Sequence, residues 1–224
     1  DDWKKGVQKN VRRQVINTLK NWNGKLIEPK YTKNISSSLI KKKIYEIGTT
    51  PDTRIAKLKR MMNAKDIVRI IEAHNPLTGL IIENTKVISG KRYFEFDGMW
   101  SSSLTDSSIR GKPDNQSVDI STRISGINEI MDVTTKPIIF DADNGGRNEH
   151  IKYLIRNLER SGVSAIVIED KIGLKKNSLF KNQSGVKQDS IKNFSKKLQI
   201  ASRSKISENF LIVARIESFI LKKG

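Results

Sequence analysis

Between residues 67 and 217 the chain repeats five times a short apolar run with a polar ending, with stretches of helical period between runs. The runs are residues 67–73, 96–101, 137–141, 165–169 and 210–215. Between them, Ile127, Ile130 and Met131, then Ile151, Leu154, Ile155 and Leu158, then Ile191, Phe194, Leu198 and Ala201 fall on single helix faces. Strands separated by helices pair through right-handed crossovers, so the pattern predicts an α/β fold with a parallel sheet. Residues 87–95, with Ser89-Gly90 at their centre, read as a hairpin set into one connection.

In such a sheet the chemistry gathers where strands end. The five endings are Glu72-Ala73-His74-Asn75, Trp100-Ser101-Ser102-Ser103, Asp141-Ala142-Asp143, Glu169-Asp170-Lys171 and Arg215-Ile216-Glu217. They predict a carboxylate-rich rim with an embedded arginine. The central ending, Asp141-Ala142-Asp143-Asn144-Gly145-Gly146, follows the apolar run Pro137 to Phe140 and projects two carboxylates the same way. Two hard oxygen donors suit Mg²⁺, which takes one or two carboxylates and keeps several waters. Each ending has a plainer explanation too. An Asp-x-Asp can be a solvated turn, Asp170 or Glu217 a buried ion-pair partner, and His74 a hydrogen-bonded core residue.

The flanking sequence narrows the class. There is no cysteine, which excludes disulfides, thiolate catalysis and cysteine zinc sites. No apolar run approaches a membrane span, and a cytoplasmic location is expected. The net charge of +18 comes from lysines spread over every segment, without a nucleic-acid-binding motif, so no specific nucleic-acid partner is expected. Val11, Val15, Ile16, Leu19 and Trp22 predict an amphipathic helix closed near Asn23-Gly24, and residues 25–28 a short strand. Ile35-Ser36-Ser37-Ser38 leads into a further helix with Leu39, Ile40, Ile44 and Ile47 inward. Gly48-Thr49-Thr50-Pro51-Asp52 is a joint, followed by a helix with Ile55, Leu58, Met61 and Met62 on its apolar side.

Asp1-Asp2-Trp3-Lys4 and Ile35-Ser36-Ser37-Ser38 resemble the closing part of a cytidylyltransferase-like, Rossmann-type nucleotidyltransferase domain. Tyr31, Asn34, Ser37 and Ser38 stand where that family has Arg, Gly, Thr and Thr, and its His-x-Gly-His motif is absent. Residues 53–224 resemble the phosphoenolpyruvate mutase branch of the isocitrate lyase superfamily. The resemblance rests on Glu72-Ala73-His74-Asn75, Asp97-Gly98-Met99-Trp100-Ser101-Ser102-Ser103-Leu104, Gly111-Lys112-Pro113-Asp114, Asp141 to Gly146, Glu169-Asp170-Lys171 with Lys175-Lys176-Asn177-Ser178, and Val213 to Ser218.

That resemblance implies a (β/α)₈ barrel of TIM type with only about its first five strands present. The expected domains are 1–47, a linker at 48–52, and 53–224 as the N-terminal part of the barrel. It implies Mg²⁺ as cofactor, ligated by Asp141, with Asp114, Asp143 and Glu169 holding its waters. Trp100, Ser102, Ser103 and Leu104 would bind the substrate, phosphoenolpyruvate or phosphonopyruvate. Asn177, with Lys175 and Ser178 nearby, would cover the transferring phosphoryl group, and Arg215 would neutralise its charge. Lyases of the superfamily carry a Lys-x-Cys-Gly-His loop where this chain has Lys175-Lys176-Asn177-Ser178, which disfavours them. Phosphonopyruvate hydrolase is the nearer rival, and Pro113 departs from the Arg of many mutases. A substrate-binding His of the family and three strands would lie past Gly224. The expected parent is a longer, homo-oligomeric, two-module protein, and an inactive fragment is the remaining alternative.

Overall fold

In the computed structural model, which describes residues 4–6, 8–28, 49–90, 92–173, 175–176 and 185–220, the chain divides into two units, Asp1–Leu39 and Ile40–Gly224. The first holds helix α1 (Gln8–Lys20), none of whose residues is buried. The helix closes as its sequence predicts: Asn23 takes a left-handed φ of 55°, and the Gly24 N–H lies 2.8 Å from the Leu19 carbonyl. Residues 25–28 form no strand. Glu28 is held to α1 instead, where Arg12 donates from Nε and Nη2 to its two oxygens at 2.7 and 2.8 Å. The cap and helix expected at Ser36–Ile47 lie outside the described residues.

The second unit opens with α2 (Pro51–Ala64). Thr50 caps it by accepting the Thr53 N–H at 3.3 Å, and Pro51 supplies a preset φ at the first position. Its buried residues are Arg54, Ile55 and Leu58. Met62, expected on the apolar side, is exposed, because no residue of the helix beyond Leu58 is buried.

Five strands follow in one parallel sheet: β1 (Ile70–Glu72), β4 (Gly98–Ser101), β5 (Ile138–Asp141), β6 (Ala165–Glu169) and β9 (Leu211–Arg215), in that spatial order. Neighbours in space are consecutive members of this set, each reached through helices. These are α3 (Pro76–Asn84), α4 (Ser103–Ser108), α5 (Ile120–Met131), α6 (Asn148–Ser161) and α7 (Ile191–Ser204). The predicted hairpin is present as β2 (Lys86–Ser89) and β3 (Arg92–Glu95). A second two-stranded ribbon, β7 (Lys171–Ile172) with β8 (Lys187–Gln188), follows the end of β6.

The first two strands start later than their apolar runs. Asp97 explains this: its side chain accepts the Arg69 N–H at 2.8 Å while its own N–H donates to the Arg69 carbonyl at 2.7 Å. The exchange occupies Arg69 just before the ladder, and Ile67 is left exposed. Gly98 then begins β4 because nothing larger fits. A Cβ there would lie 2.8 Å from Ile70 Cδ1 and 2.9 Å from the Pro137 carbonyl oxygen.

The middle strands carry the core. Every residue of β6 is buried, and Ile138 and Phe140 of β5 are fully enclosed. Helix α6 lays Ile151, Leu154, Ile155 and Leu158 onto them, each contributing about 1.5–3 kcal/mol of hydrophobic stabilisation. Gly162, left-handed at φ 83°, ends that helix and turns the chain into β6. The edge strand β9 is only partly covered, with Val213 exposed.

Candidate active site

The parallel register brings the C-terminal ends of β4, β5, β6 and β9 side by side, with Asp141 opposite Val167 and Glu169 opposite Arg215. Asp141, Asp143 and Glu169 are all buried there. Asp141 Oδ1 accepts the Asp143 N–H at 3.0 Å, a local bond that sets the turn. Asp143 adopts a left-handed φ of 54°, a conformation Asp tolerates better than most side chains. Its carbonyl accepts the Glu169 N–H at 2.8 Å, locking the ends of β5 and β6 together.

Two cations span these carboxylates. Lys175 Nζ donates to Ser103 Oγ at 2.6 Å, to Asp114 Oδ1 at 2.6 Å, and to Asp143. Burial opposes its charge, but Asp143 and Asp114 outweigh burial and hold its pKa above the ordinary lysine value. Arg215 donates to Glu169 and, at 3.4 Å, to Asp141 Oδ2. Its Nε lies 2.8 Å from Glu217 Oε1, off the hydrogen-bonding direction. Burial again works against the guanidinium, and Asp141 and Glu169 overcome it, raising its pKa. Glu169 shows the opposite balance: burial pushes its carboxyl up despite Arg215 and Lys171, whose Nζ is 3.7 Å away.

The serine-rich end of β4 meets this group. Ser102 caps α4 by accepting the Thr105 N–H at 3.4 Å. Ser103 Oγ lies 3.4 Å from Asp141 Oδ2. Trp100 and Leu104 flank these serines and are half-buried. Of the predicted residues, the structure therefore gathers Ser103, Asp114, Asp141, Asp143, Glu169, Lys175 and Arg215, with Trp100, Ser102 and Leu104 alongside. Asn177 and Ser178 lie outside the described residues. Glu72 is exposed on the edge strand and takes no part. His74 is half-buried rather than in the core, and its backbone N–H donates to Thr78 Oγ1 at 3.1 Å.

Among the described residues, no three acidic or histidine side chains stand close enough to grip a metal by themselves, and Lys175 and Arg215 pair with four of the carboxylates. The donor set still fits Mg²⁺. Among the described residues, the five carboxylates of Asp114, Asp141, Asp143, Glu169 and Glu217 form ion pairs with three cations, Lys171, Lys175 and Arg215. Mg²⁺ needs only one or two direct carboxylates, with water filling its remaining positions.

Two residues of the site carry no motif. Arg123 and Asp106, both buried, pair at 2.8 Å beneath the serine turn. Arg123 had one sequence signal: it lies four residues before Ile127, so a charge sits on the apolar face of α5.

The family model for phosphoenolpyruvate phosphomutase matches residues 58–224. A curated phosphoenolpyruvate phosphomutase from Tetrahymena pyriformis is 30% identical over 172 residues, covering 76% of this chain and 54% of that protein. A solved phosphoenolpyruvate phosphomutase from Streptomyces platensis subsp. rosaceus superposes with a TM-score of 0.66 at 29% identity, over 74% of this chain and 54% of the other. A phosphonopyruvate hydrolase solved with oxalate and Mg²⁺ superposes with a TM-score of 0.63 at 26% identity, over 79% and 56%. The chain thus spans about half the length of the relatives it matches.

Proposed function

The chain belongs to the phosphoenolpyruvate phosphomutase family, and from that premise we propose that its strand-end site is part of an enzyme interconverting phosphoenolpyruvate and phosphonopyruvate with Mg²⁺. In that reaction the P–O bond of the enol phosphate breaks and a P–C bond to the methylene carbon forms, with no water consumed. Phosphoryl transfer needs positioning and charge stabilisation more than covalent help. The observation that carries the reading is Lys175, which meets Ser103, Asp114 and Asp143 together. Lys175, three residues beyond β7, thereby reaches the ends of β4 and β5, where a substrate would bind.

The roles follow from the side chains. Asp141 would hold Mg²⁺ directly, Asp114, Asp143 and Glu169 would hold it through waters, and the bound ion would supply Lewis acidity toward an anionic substrate. Ser102 and Ser103 offer hydroxyls, and the Trp100–Leu104 turn backbone N–H groups, to the substrate's carboxylate and ketone oxygens. Arg215 neutralises the phosphoryl oxygens. Asn177 contributes neutral amide donors over the phosphoryl group, while Lys175 and Ser178 help the loop exclude water. Residues 1–47 are read as the end of a cytidylyltransferase-like module, and the whole protein as a homo-oligomer.

Phosphonopyruvate hydrolase is the second reading, supported by the similar match to the solved hydrolase. The two differ in whether water reaches the phosphorus, which the loop around Asn177 decides. The test of metal-assisted turnover is phosphonopyruvate consumption by the full natural protein, with Mg²⁺ and after chelation, beside Asp141→Asn. Consumption should require Mg²⁺ and fall at least about 100-fold in the variant. Turnover indifferent to both would remove the reading.

A further inference from the structure

Arg123 uses its guanidinium as a bracket between two strand ends. Nε donates to Asp106 Oδ2 at 2.8 Å, Nη1 to the Asp141 carbonyl at 2.7 Å, and Nη2 to the Ser101 carbonyl at 3.3 Å. The cation also lies 4.2 Å from the centre of the Phe140 ring, a favourable stack. Asp106 completes the unit by accepting from Ser101 Oγ at 3.2 Å. Its N–H donates to the Ser102 carbonyl at 3.0 Å. All the groups are buried except Ser102, which is half-buried.

The placement of these bonds is informative. Asp106 sits on α4, whose first residues are Ser103 and Leu104. The Asp141 carbonyl belongs to the same residue whose carboxylate faces Ser103. Arg123 comes from a different helix, α5, and touches neither the Ser103 hydroxyl nor the Asp141 carboxylate. It fixes the backbone behind each. We propose that Arg123 and Asp106 are positioning residues that set the distance between the serine turn and Asp141, and so the alignment of an anionic substrate's carboxylate between them.

The geometry of arginine matters here. Its planar fork reaches three acceptors on three segments at fixed angles, while a lysine ammonium is a flexible point charge. A misplacement of about 1 Å at a site aligning reacting groups can lower turnover about 100-fold. The proposal rests on the reading of this rim as a substrate site, so it is tested with a probe that needs no turnover. The probe is oxalate, a small dianion, titrated with Mg²⁺ into the full natural protein and followed calorimetrically.

Four proteins are compared: wild type, Arg123→Lys, Asp106→Asn, and the apolar pair Arg123→Met/Asp106→Leu. The apolar pair removes both charges together and avoids stranding one in the core. The expected result is that the apolar pair folds, yet binds oxalate at least about tenfold more weakly at a temperature well below its melting point. Arg123→Lys should likewise bind weakly, with a larger loss in kcat than rise in KM for phosphonopyruvate. Wild-type oxalate affinity in the apolar pair or in Arg123→Lys would overturn the proposal and leave the pair a purely structural one. Absence of phosphonopyruvate turnover in the wild type would instead remove the reaction assigned above, while the oxalate titration still decides the role of Arg123.

Discussion

Lys175 Nζ lies 2.6 Å from Asp114 Oδ1, and only 5% and 8% of the two side chains are exposed. The residues are 61 apart in sequence, so this pair ties the loop after β7 to the segment after α4. Removing one partner of a buried pair leaves an uncompensated charge, which typically costs about 3–5 kcal/mol. Lys175→Ala should therefore destabilise the protein by that order in metal-free urea denaturation. Mg²⁺ should then stabilise the variant more than it stabilises the wild type, because Asp114 and Asp143 lose a competing cation and a ligand that binds only the folded state adds stability. Equal Mg²⁺ stabilisation of both proteins would argue against a shared cation site.

Asp97 predicts a specific acid limb. Burial opposes its ionisation, but the Arg69 N–H and the Lys65 ammonium outweigh burial and hold its pKa below the ordinary aspartate value. A depressed folded pKa contributes stability that is present above the unfolded value of about 3.9 and is lost as pH falls through the folded value. Asp97→Asn should thus cost about 1–3 kcal/mol at neutral pH. The gap from wild type should close below about pH 4. A gap constant from pH 7 to pH 3 would contradict the assignment.

Gly98→Ala tests the tight start of β4. The added methyl would meet the Pro137 carbonyl oxygen at 2.9 Å, and that oxygen is already fixed by the Met99 N–H at 2.9 Å. It cannot move without breaking the ladder. Overpacking of this kind costs about 1–3 kcal/mol, read as a shift in the urea midpoint. A neutral substitution would mean that β1 and β5 yield more easily than their register implies.

The sequence announced the sheet because each strand's apolar run is cut off by residues that do not belong in a core. Asp141, Glu169 and Arg215 interrupt their runs at the end where a parallel sheet gathers its loops, so order along the chain became proximity in space. Arg123 and Asp106 were not legible in the same way. Asp106 looks like an ordinary polar position on a short helix, and the charge at position 123, although it falls on the apolar face of α5, gives no hint of its three acceptors. Residues 25–28 misled for a related reason. Their extended pattern is real, but Arg12 draws Glu28 to the helix, a pairing no local propensity reveals. The interposed cations are a further case: spacing pointed to Asp141 and Asp143 as candidate metal donors, but gave no sign that Lys175 stands between Asp143 and Asp114.

The central claim is the transfer itself, and ³¹P NMR of phosphonopyruvate incubated with the full natural protein and Mg²⁺ tests it most directly, with Asn177→Ala in parallel. The account predicts a phosphate-ester resonance from phosphoenolpyruvate in the wild type and its loss in the variant. Inorganic phosphate as the sole product would contradict the mutase assignment in favour of the hydrolase, and an unchanged phosphonate spectrum would contradict both.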